Sequence, residues 1–216
     1  MSHLTRQSVP KSWPIERKGT TYVVKSRVDV NGGVPILVAL RDMLGLAQTR
    51  REVKKIIHLK QFLINEKPAR DEKNSILFLD TVTIVPIKKN YRLELSESGK
   101  FYFQEIKETE ANKKVAKVIN KKVLKGKKTQ LNLSDGRNFL SDMKCNMNDS
   151  VVVNLKEGKI ERCIPLKEKA KVIIFSGKHV GDKGEIISLN PEEKIAKVKS
   201  GDKEVNILIK QIIAVE

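Results

Sequence analysis

Lys178, His179 and Lys183 stand among Gly177, Gly181 and Gly184 in the stretch KVIIFSGKHVGDKGEIISL, residues 171–189. Apolar, β-branched runs lie on both sides, so the stretch reads as strand, basic glycine-punctuated turn, strand. Glycine there lets the backbone take positive φ and approach a partner closely. The cations between the glycines can flank a phosphate. A tight hairpin with solvated lysines is the plainer reading. A nucleotide-binding loop fits poorly, because no Gly-Lys-Ser/Thr step opens a helix here.

Other basic side chains occur in patterns of their own. Thr49 to Glu52 is a Thr-x-x-Glu capping box, which opens a helix. Val53, Ile56 and Ile57 then make its buried face, and Arg50, Arg51, Lys54 and Lys55 take the remainder. Helix N-termini favour anions through their N–H groups and dipole. Lys113, Lys114, Lys117, Lys121, Lys122, Lys125, Lys127 and Lys128 form the densest cationic block, with no acid between them. Val115, Val118, Ile119, Val123 and Leu124 run through it, so part of it folds, with the lysines on one connected surface. Near the start, Arg6, Lys11, Arg17 and Lys18 surround Trp13, which lies between Pro10 and Pro14. Trp13 is read either as an anchor for the arm or as a stacking platform for a base. Asp135, in a Ser-Asp-Gly turn, is a hairpin residue rather than a catalytic acid. Arg137 beside it can form a local ion pair or reach a ligand.

The whole chain carries 43 Lys and Arg against 26 Asp and Glu, a net charge of +17 in 216 residues. Such an excess points to a polyanionic partner. By segment the charge is +4 over 1–30, +3 over 31–86, +9 over 87–170 and +1 over 171–216. Membrane binding is the weaker use of this surface. The longest apolar stretch, Val34 to Leu40, is too short to span a bilayer, and no signal peptide or lipidation motif is read. Cys145 and Cys163 stand alone, with no histidine at ligand spacing, so no structural metal is expected and a reducing, intracellular compartment fits. No serine-hydrolase, zinc-protease or dinucleotide fingerprint occurs, and no cofactor is expected.

The elements that must carry these residues fall into four regions. Residues 1–33 read as a basic arm with one short strand, Thr20 to Lys25. Residues 34–87 hold two helices and a small sheet; Pro35 suits a first helical position and Gly45 a left-handed helix end. Residues 88–170 form a central β-rich domain, with turns at Ser98-Gly99, Ser134-Asp135-Gly136 and Glu157-Gly158. Residues 171–216 form a small barrel of four or five short strands. The fold class is α+β, mostly β.

The loop at 177–184 resembles the KOW motif of ribosomal and transcription proteins, a small β-barrel whose loop touches RNA. Residues 34–87 resemble the compact helical RNA-binding module first described in a bacterial small-subunit ribosomal protein. That module has a glycine after its second helix and Asn-Gly in the following turn; here Leu59-Lys60-Gln61 and Asn65-Glu66 stand instead. Taken in order, PKSWPIERK, PILVALRDMLGLA, QLNLSDGRN and GKHVGDKG resemble the archaeal and eukaryotic small-subunit ribosomal protein family S-four-e, over nearly the whole chain. The segment from Arg27 to Pro35 lacks the family's Gly-Pro-His step, and the length is that of archaeal members. The resemblance implies a structural, non-enzymatic protein of the cytoplasmic small ribosomal subunit. Its implied partners are small-subunit ribosomal RNA and neighbouring ribosomal proteins, with no membrane and no small-molecule substrate. A free KOW-bearing regulator of transcription or translation is the alternative. The expected RNA contacts are Arg6, Lys11, Trp13, Arg17 and Lys18 in the arm, Arg50, Arg51, Lys54 and Lys55 on the helix, and the eight lysines of 113–128. Arg137 and the loop residues Gly177, Lys178, His179, Gly181, Lys183 and Gly184 complete the set. With ten aromatic residues in all, contacts to phosphate and ribose of folded RNA should dominate over base stacking.

Overall fold

A computed structural model describes residues 3–125, 128–141, 143–190, 192–201 and 203–215. The chain divides into two compact units, residues 1–112 and 113–216.

The first unit begins with β1 (Leu4–Thr5) and β2 (Tyr22–Val23), a short antiparallel pair with Thr5 opposite Tyr22. Between them Trp13 is 2% exposed and donates its ring N–H to the carbonyls of Val30 (3.1 Å) and Gly33 (2.9 Å). Burying an indole stabilises a contact only if its N–H finds an acceptor, and here it finds two. Trp13 therefore anchors the arm and is withdrawn as a stacking platform. β3 (Gly33–Pro35) follows. Gly33 passes so close to its partner strand that a Cβ would run into the Ile76 carbonyl.

α1 (Ile36–Val38) runs into a π-helical turn, Ala39–Met43, closed by the Leu44 N–H on the Ala39 carbonyl. Pro35 sits one place earlier than expected, as the N-cap, with extended ψ of 148°. Gly45 takes the expected left-handed conformation at φ 63°. α2 (Arg50–His58) is capped by Thr49, whose hydroxyl accepts from the Glu52 N–H. The Glu52 carboxylate closes the box on the Gln48 N–H (2.8 Å) and the Thr49 hydroxyl (2.9 Å). These bonds, the Gln48 N–H first, hold Glu52 below its ordinary carboxylate range. Val53 and Ile57 face inward, as expected, with Ile56 half-buried.

After α2 the Lys60 N–H bonds Ile57 and the Gln61 N–H bonds Ile56, the paired closure of a Schellman motif. Lys60 takes φ 53° to make it, where glycine is the usual residue. β4 (Phe62–Ile64) and β5 (Lys67–Pro68) then meet through Asn65 and Glu66, at φ 50° and 64°. Both positive angles define the type I′ turn that Asn-Gly favours. Tertiary bonds hold it without glycine: the Asn65 side chain donates to Asp80 (2.8 Å) and accepts from the Thr81 N–H (3.2 Å).

β6 (Ser75–Leu77) pairs with β3, and β7 (Thr81–Ile84), β8 (Lys89–Leu95) and β9 (Phe101–Ile106) extend the main sheet in the order β5-β4-β7-β8-β9. The hairpin β8–β9, read from sequence with the central region, thus hydrogen-bonds to the sheet beneath the helices. α3 (Glu108–Ala111) ends this unit.

The second unit contains two five-stranded antiparallel sheets. β10 (Lys113–Val123), β11 (Thr129–Leu133), β12 (Asn138–Leu140), β13 (Ser150–Asn154) and β14 (Lys159–Ile164) make one, in the order β12-β11-β10-β13-β14. Ala116, Val118, Leu131, Leu133, Val151 and Val153 form its core. β15 (Lys171–Ile174), β16 (Lys183–Asn190), β17 (Ile195–Ser200), β18 (Lys203–Leu208) and β19 (Ile212–Ala214) make the other, in the order β18-β17-β16-β15-β19. Its core is Val172, Ile174, Ile186, Val198, Ile207 and Ile212.

Two lysines of the cationic block lie inside this unit. Lys114 is 2% exposed on the core face of β10, with its ammonium 2.8 Å from the Asp135 carboxylate. Burial pushes the Asp135 carboxyl up; Lys114 and the Arg137 N–H outweigh it and leave Asp135 below the ordinary range. Lys117, on the opposite face, is 3% exposed and donates to the carbonyls of Ile209 and Ile212 (2.8 Å to the latter). Both lysines are therefore removed from the expected RNA surface, because period-2 alternation and the packing of the second sheet enclose both faces of β10 here.

Three outcomes test these readings. Lys114→Met, which leaves Asp135 only the more distant Arg137 guanidinium as counter-charge, should cost about 3 kcal/mol in denaturant unfolding. Lys60→Gly should stabilise by roughly 0.5–1 kcal/mol, since the left-handed conformation is strained for lysine. Burial lowers the Lys117 ammonium to about 8 from an ordinary 10.5. The unfolded chain then holds a proton that the folded chain has lost between those values, so stability should rise from pH 8 towards pH 10.5. Lys117→Met should flatten that rise, measured as the difference between the two proteins' unfolding curves.

Candidate nucleic-acid interface

The remaining cations differ in what already holds them. On α2, Arg51, Lys54 and Lys55 are exposed beside the helix start. Arg50, also exposed, donates Nε (2.8 Å) and Nη2 to Oε1 of Glu72, a carboxylate that is itself buried. That hydrogen bond is the main reason Glu72 lies below its ordinary carboxylate range, and it fixes the guanidinium on the helix flank. The expected grouping of basic residues on this face is thus present, with one member pre-positioned.

Along β10, Lys121 and Lys122 are exposed, as are Lys125 and Lys128 beyond it. Lys121 reaches the Cys145 carbonyl (3.3 Å), and Lys113 pairs with Glu161 (2.8 Å). Lys127 lies outside the described residues. Exposed Ile119 and Val123 alternate with these cations, so this end of the strand is a ribbon with both faces in solvent. Arg137 turns back to Asp135 at 3.6 Å, which makes it part of the turn that also holds Lys114.

In the loop between β15 and β16, Gly177 and Gly181 have φ of 102° and 94°. The Gly181 N–H bonds the Ile174 carbonyl, and the Asp182 N–H bonds that of His179. Lys178 is exposed in the loop and Lys183 at the first position of β16, and His179 faces Asp182 at 3.6 Å. Gly184 does not belong to the loop. It lies in β16, where a Cβ would strike the Lys199 carbonyl of β17, so its role is close strand packing.

In the arm, Lys11 and Lys18 are exposed and Arg17 donates to the Val9 carbonyl (3.2 Å). Arg6 donates Nε to the Thr20 carbonyl (2.8 Å), Nη1 to the Glu16 carbonyl (2.8 Å) and Nη2 to the Thr20 hydroxyl (2.9 Å). It ties the two ends of the arm together.

A basic concavity in the first unit was not visible in the sequence. Arg6, Lys25, Arg27, Arg41, Arg50 and Lys73 line a cleft of about 630 Å³ in the first unit, and no acidic residue lines it among those described. Three of its cations have carboxylate partners behind them: Arg27 with Asp71 (3.6 Å), Arg41 with Asp42 (2.9 Å) and Arg50 with Glu72. Only Arg6 and Arg50 belong to the expected set. The others are single cations spread from position 25 to position 73, with no local run to mark them.

Among the described residues no three of His, Cys, Asp and Glu cluster as metal ligands, and no helix is long and apolar enough to cross a membrane. Cys145 and Cys163, far apart in sequence, share a hydrogen bond. Burial, followed by Cys145 and Asp149, pushes the Cys163 thiol up to about 12, so it is a protonated packing group at neutral pH.

Known proteins resemble the chain along most of its length. The profile of the ribosomal family S4e matches residues 87–160. The small ribosomal subunit protein eS4 of Methanocella arvoryzae is 34% identical over 188 residues, which cover 86% of this chain and 80% of that protein. The protein of the same name from Nanoarchaeum equitans is 38% identical, covering 85% and 80%. The crystal structure of the 30S ribosomal protein S4e from Thermoplasma acidophilum shares the fold, with a TM-score of 0.73 at 24% identity over 85% of this chain and 95% of that one. With such identity across more than four-fifths of its residues, the chain belongs to the S4e family of ribosomal proteins.

Proposed function

We propose that the protein is a structural component of the small ribosomal subunit that binds and stabilises folded ribosomal RNA, chiefly through phosphate and ribose. The observation that carries this reading is the relatives' shared identification as small ribosomal subunit proteins over most of the chain. The excess of 17 positive charges supports it, since RNA is the counter-charge that such a surface lacks internally. In this reading the contacts come from Arg51, Lys54 and Lys55 on α2, the β10 ribbon with Lys121, Lys122, Lys125 and Lys128, and the KOW-like loop with Lys178, His179 and Lys183. Lys11 and Lys18 add contacts from the arm. Neighbouring ribosomal proteins meet the faces that RNA leaves uncovered, and the protein works in the cytoplasm within the subunit.

Each group of contacts has its own signature. Binding to ribosomal RNA fragments should weaken steeply with salt, on the order of 10³-fold between about 50 and about 200 mM if six or more phosphates are engaged. A flat titration would defeat the phosphate reading. The double reversal Arg51→Glu/Lys54→Glu should reduce incorporation into subunits while circular dichroism keeps its helical signal, because neither side chain is in the core. Lys178→Ala and Lys183→Ala should each cost about 1 kcal/mol of RNA affinity, uniformly across sequences. Co-sedimentation with small subunits in high salt separates a resident component from a free regulator.

A further inference from the structure

Phosphate contacts to folded RNA leave one part of the first unit without a use. At the mouth of the cation-lined cleft, Tyr22 stands 63% exposed, with its ring centroid 5.6 Å from that of His3 and the planes tilted by 54°. A large aromatic ring in solvent costs hydration unless something covers it. Nothing in the arm needs it there: β1 and β2 are held by their backbone register and by the Arg6 clamp. Tyr22 and His3 also sit beside six cations, whereas the arm's other aromatic ring, Trp13, is buried.

We infer that this cleft is a binding site for a single-stranded stretch of RNA, with phosphates against Arg6, Lys25, Arg27, Arg41, Arg50 and Lys73 and an unpaired base stacked on Tyr22. The inference rests on the RNA-binding reading and adds to it a site of different chemistry. Stacking on aromatic rings beside a basic groove is how proteins hold single strands without reading sequence. A volume of about 630 Å³ falls within the ~300–1,000 Å³ usual for ligand sites. The cations are also pre-organised. Arg6 spends three of its five N–H donors on the arm, and Arg41 and Arg50 are held by Asp42 and Glu72. Side chains already fixed lose little freedom on binding. A duplex end is the poorer occupant, because its paired bases cannot splay onto a ring set beside a concave phosphate floor.

The test uses the full chain and two probes, fluorescein-labelled hexauridine and a blunt RNA duplex, read by anisotropy across a salt series, with the probes compared at equal ionic strength. Tyr22→Ala should weaken hexauridine binding roughly tenfold and leave duplex binding unchanged. Tyr22→Phe, which keeps the ring, should bind hexauridine as the wild type does. Arg27→Glu/Lys73→Glu should weaken hexauridine and flatten its salt dependence. Unchanged hexauridine affinity in Tyr22→Ala would overturn the proposal, as would equal losses for both probes. Displacement of hexauridine by inorganic phosphate as readily as by uridine oligomers would also overturn it, since the site would then hold a bare anion. Wild-type protein that binds ribosomal RNA fragments but not hexauridine would sink the cleft and leave the RNA reading standing. Failure to bind either would sink both.

Discussion

An excess of 17 positive charges in 216 residues is the constraint within which the rest of this structure is built. Charges of one sign repel, and the repulsion weakens a compact state. The chain meets it in two ways. Most cations are set in solvent, where water and salt screen them. A few are enclosed, each with a stated partner: Lys114 with Asp135, and Lys117 with two carbonyl oxygens. Acids are enclosed as well, Glu72, Asp80 and Asp149 among them. Asp135 serves Lys114 and Arg137, and Glu72 serves Arg50. What is left outward is a set of surfaces whose stability improves when a polyanion covers them, so folding and binding draw on the same unbalanced charge.

β10 shows how one strand divides that charge. Lys114, Ala116 and Val118 share the core face, while Lys117 turns to the other, which the second sheet closes through Ile209 and Ile212. Beyond the bulge at Val118 to Asn120 the partner sheet no longer covers the strand, and Lys121 and Lys122 emerge. The same residue type is thus an internal tie at one end and a surface cation at the other. Position along the strand, not composition, makes the difference. Alternation alone marks Lys114 as inward, since it falls in step with Ala116 and Val118. The eight lysines therefore do not share one surface. The enclosure of Lys117 depends on a partner nearly a hundred residues away and had no local mark.

Most secondary structure was legible because it is set locally. The Thr49 cap, the Val53 and Ile57 stripe, the Gly45 helix end and the alternating strands each need only their neighbours. Turn geometry was half legible. The turns after α2 and β4 keep the left-handed angles that glycine would favour, although Lys60, Asn65 and Glu66 occupy them. There the side chain of Asn65, bridging Asp80 and Thr81, over-determines the backbone. A residue-by-residue preference cannot see a bond to position 80. The assignment of β8–β9 to the central region misled for the same reason: strand pairing is non-local, and the hairpin's sequence is equally compatible with either sheet.

The arm carries the non-local lesson furthest. Its composition, basic and broken by Pro10, Pro14, Gly19, Gly32 and Gly33, is that of a loose tail. Three interactions make it a wall instead. Trp13 is sunk under the carbonyls of Val30 and Gly33, Arg6 ties residues 16 and 20 to the first strand, and the Ser12 carbonyl accepts from the Phe101 N–H at the start of β9. Once the arm is fixed, cations that lie far apart in sequence face one space, and binding no longer has to order the chain that bears them. A loose tail with the same charges would lose conformational freedom on meeting any polyanion. Trp13 anchors the middle of the arm on Val30 and Gly33, while the register with β1 and the Arg6 bonds to Thr20 hold the strand that leaves Tyr22 in solvent beside the cations.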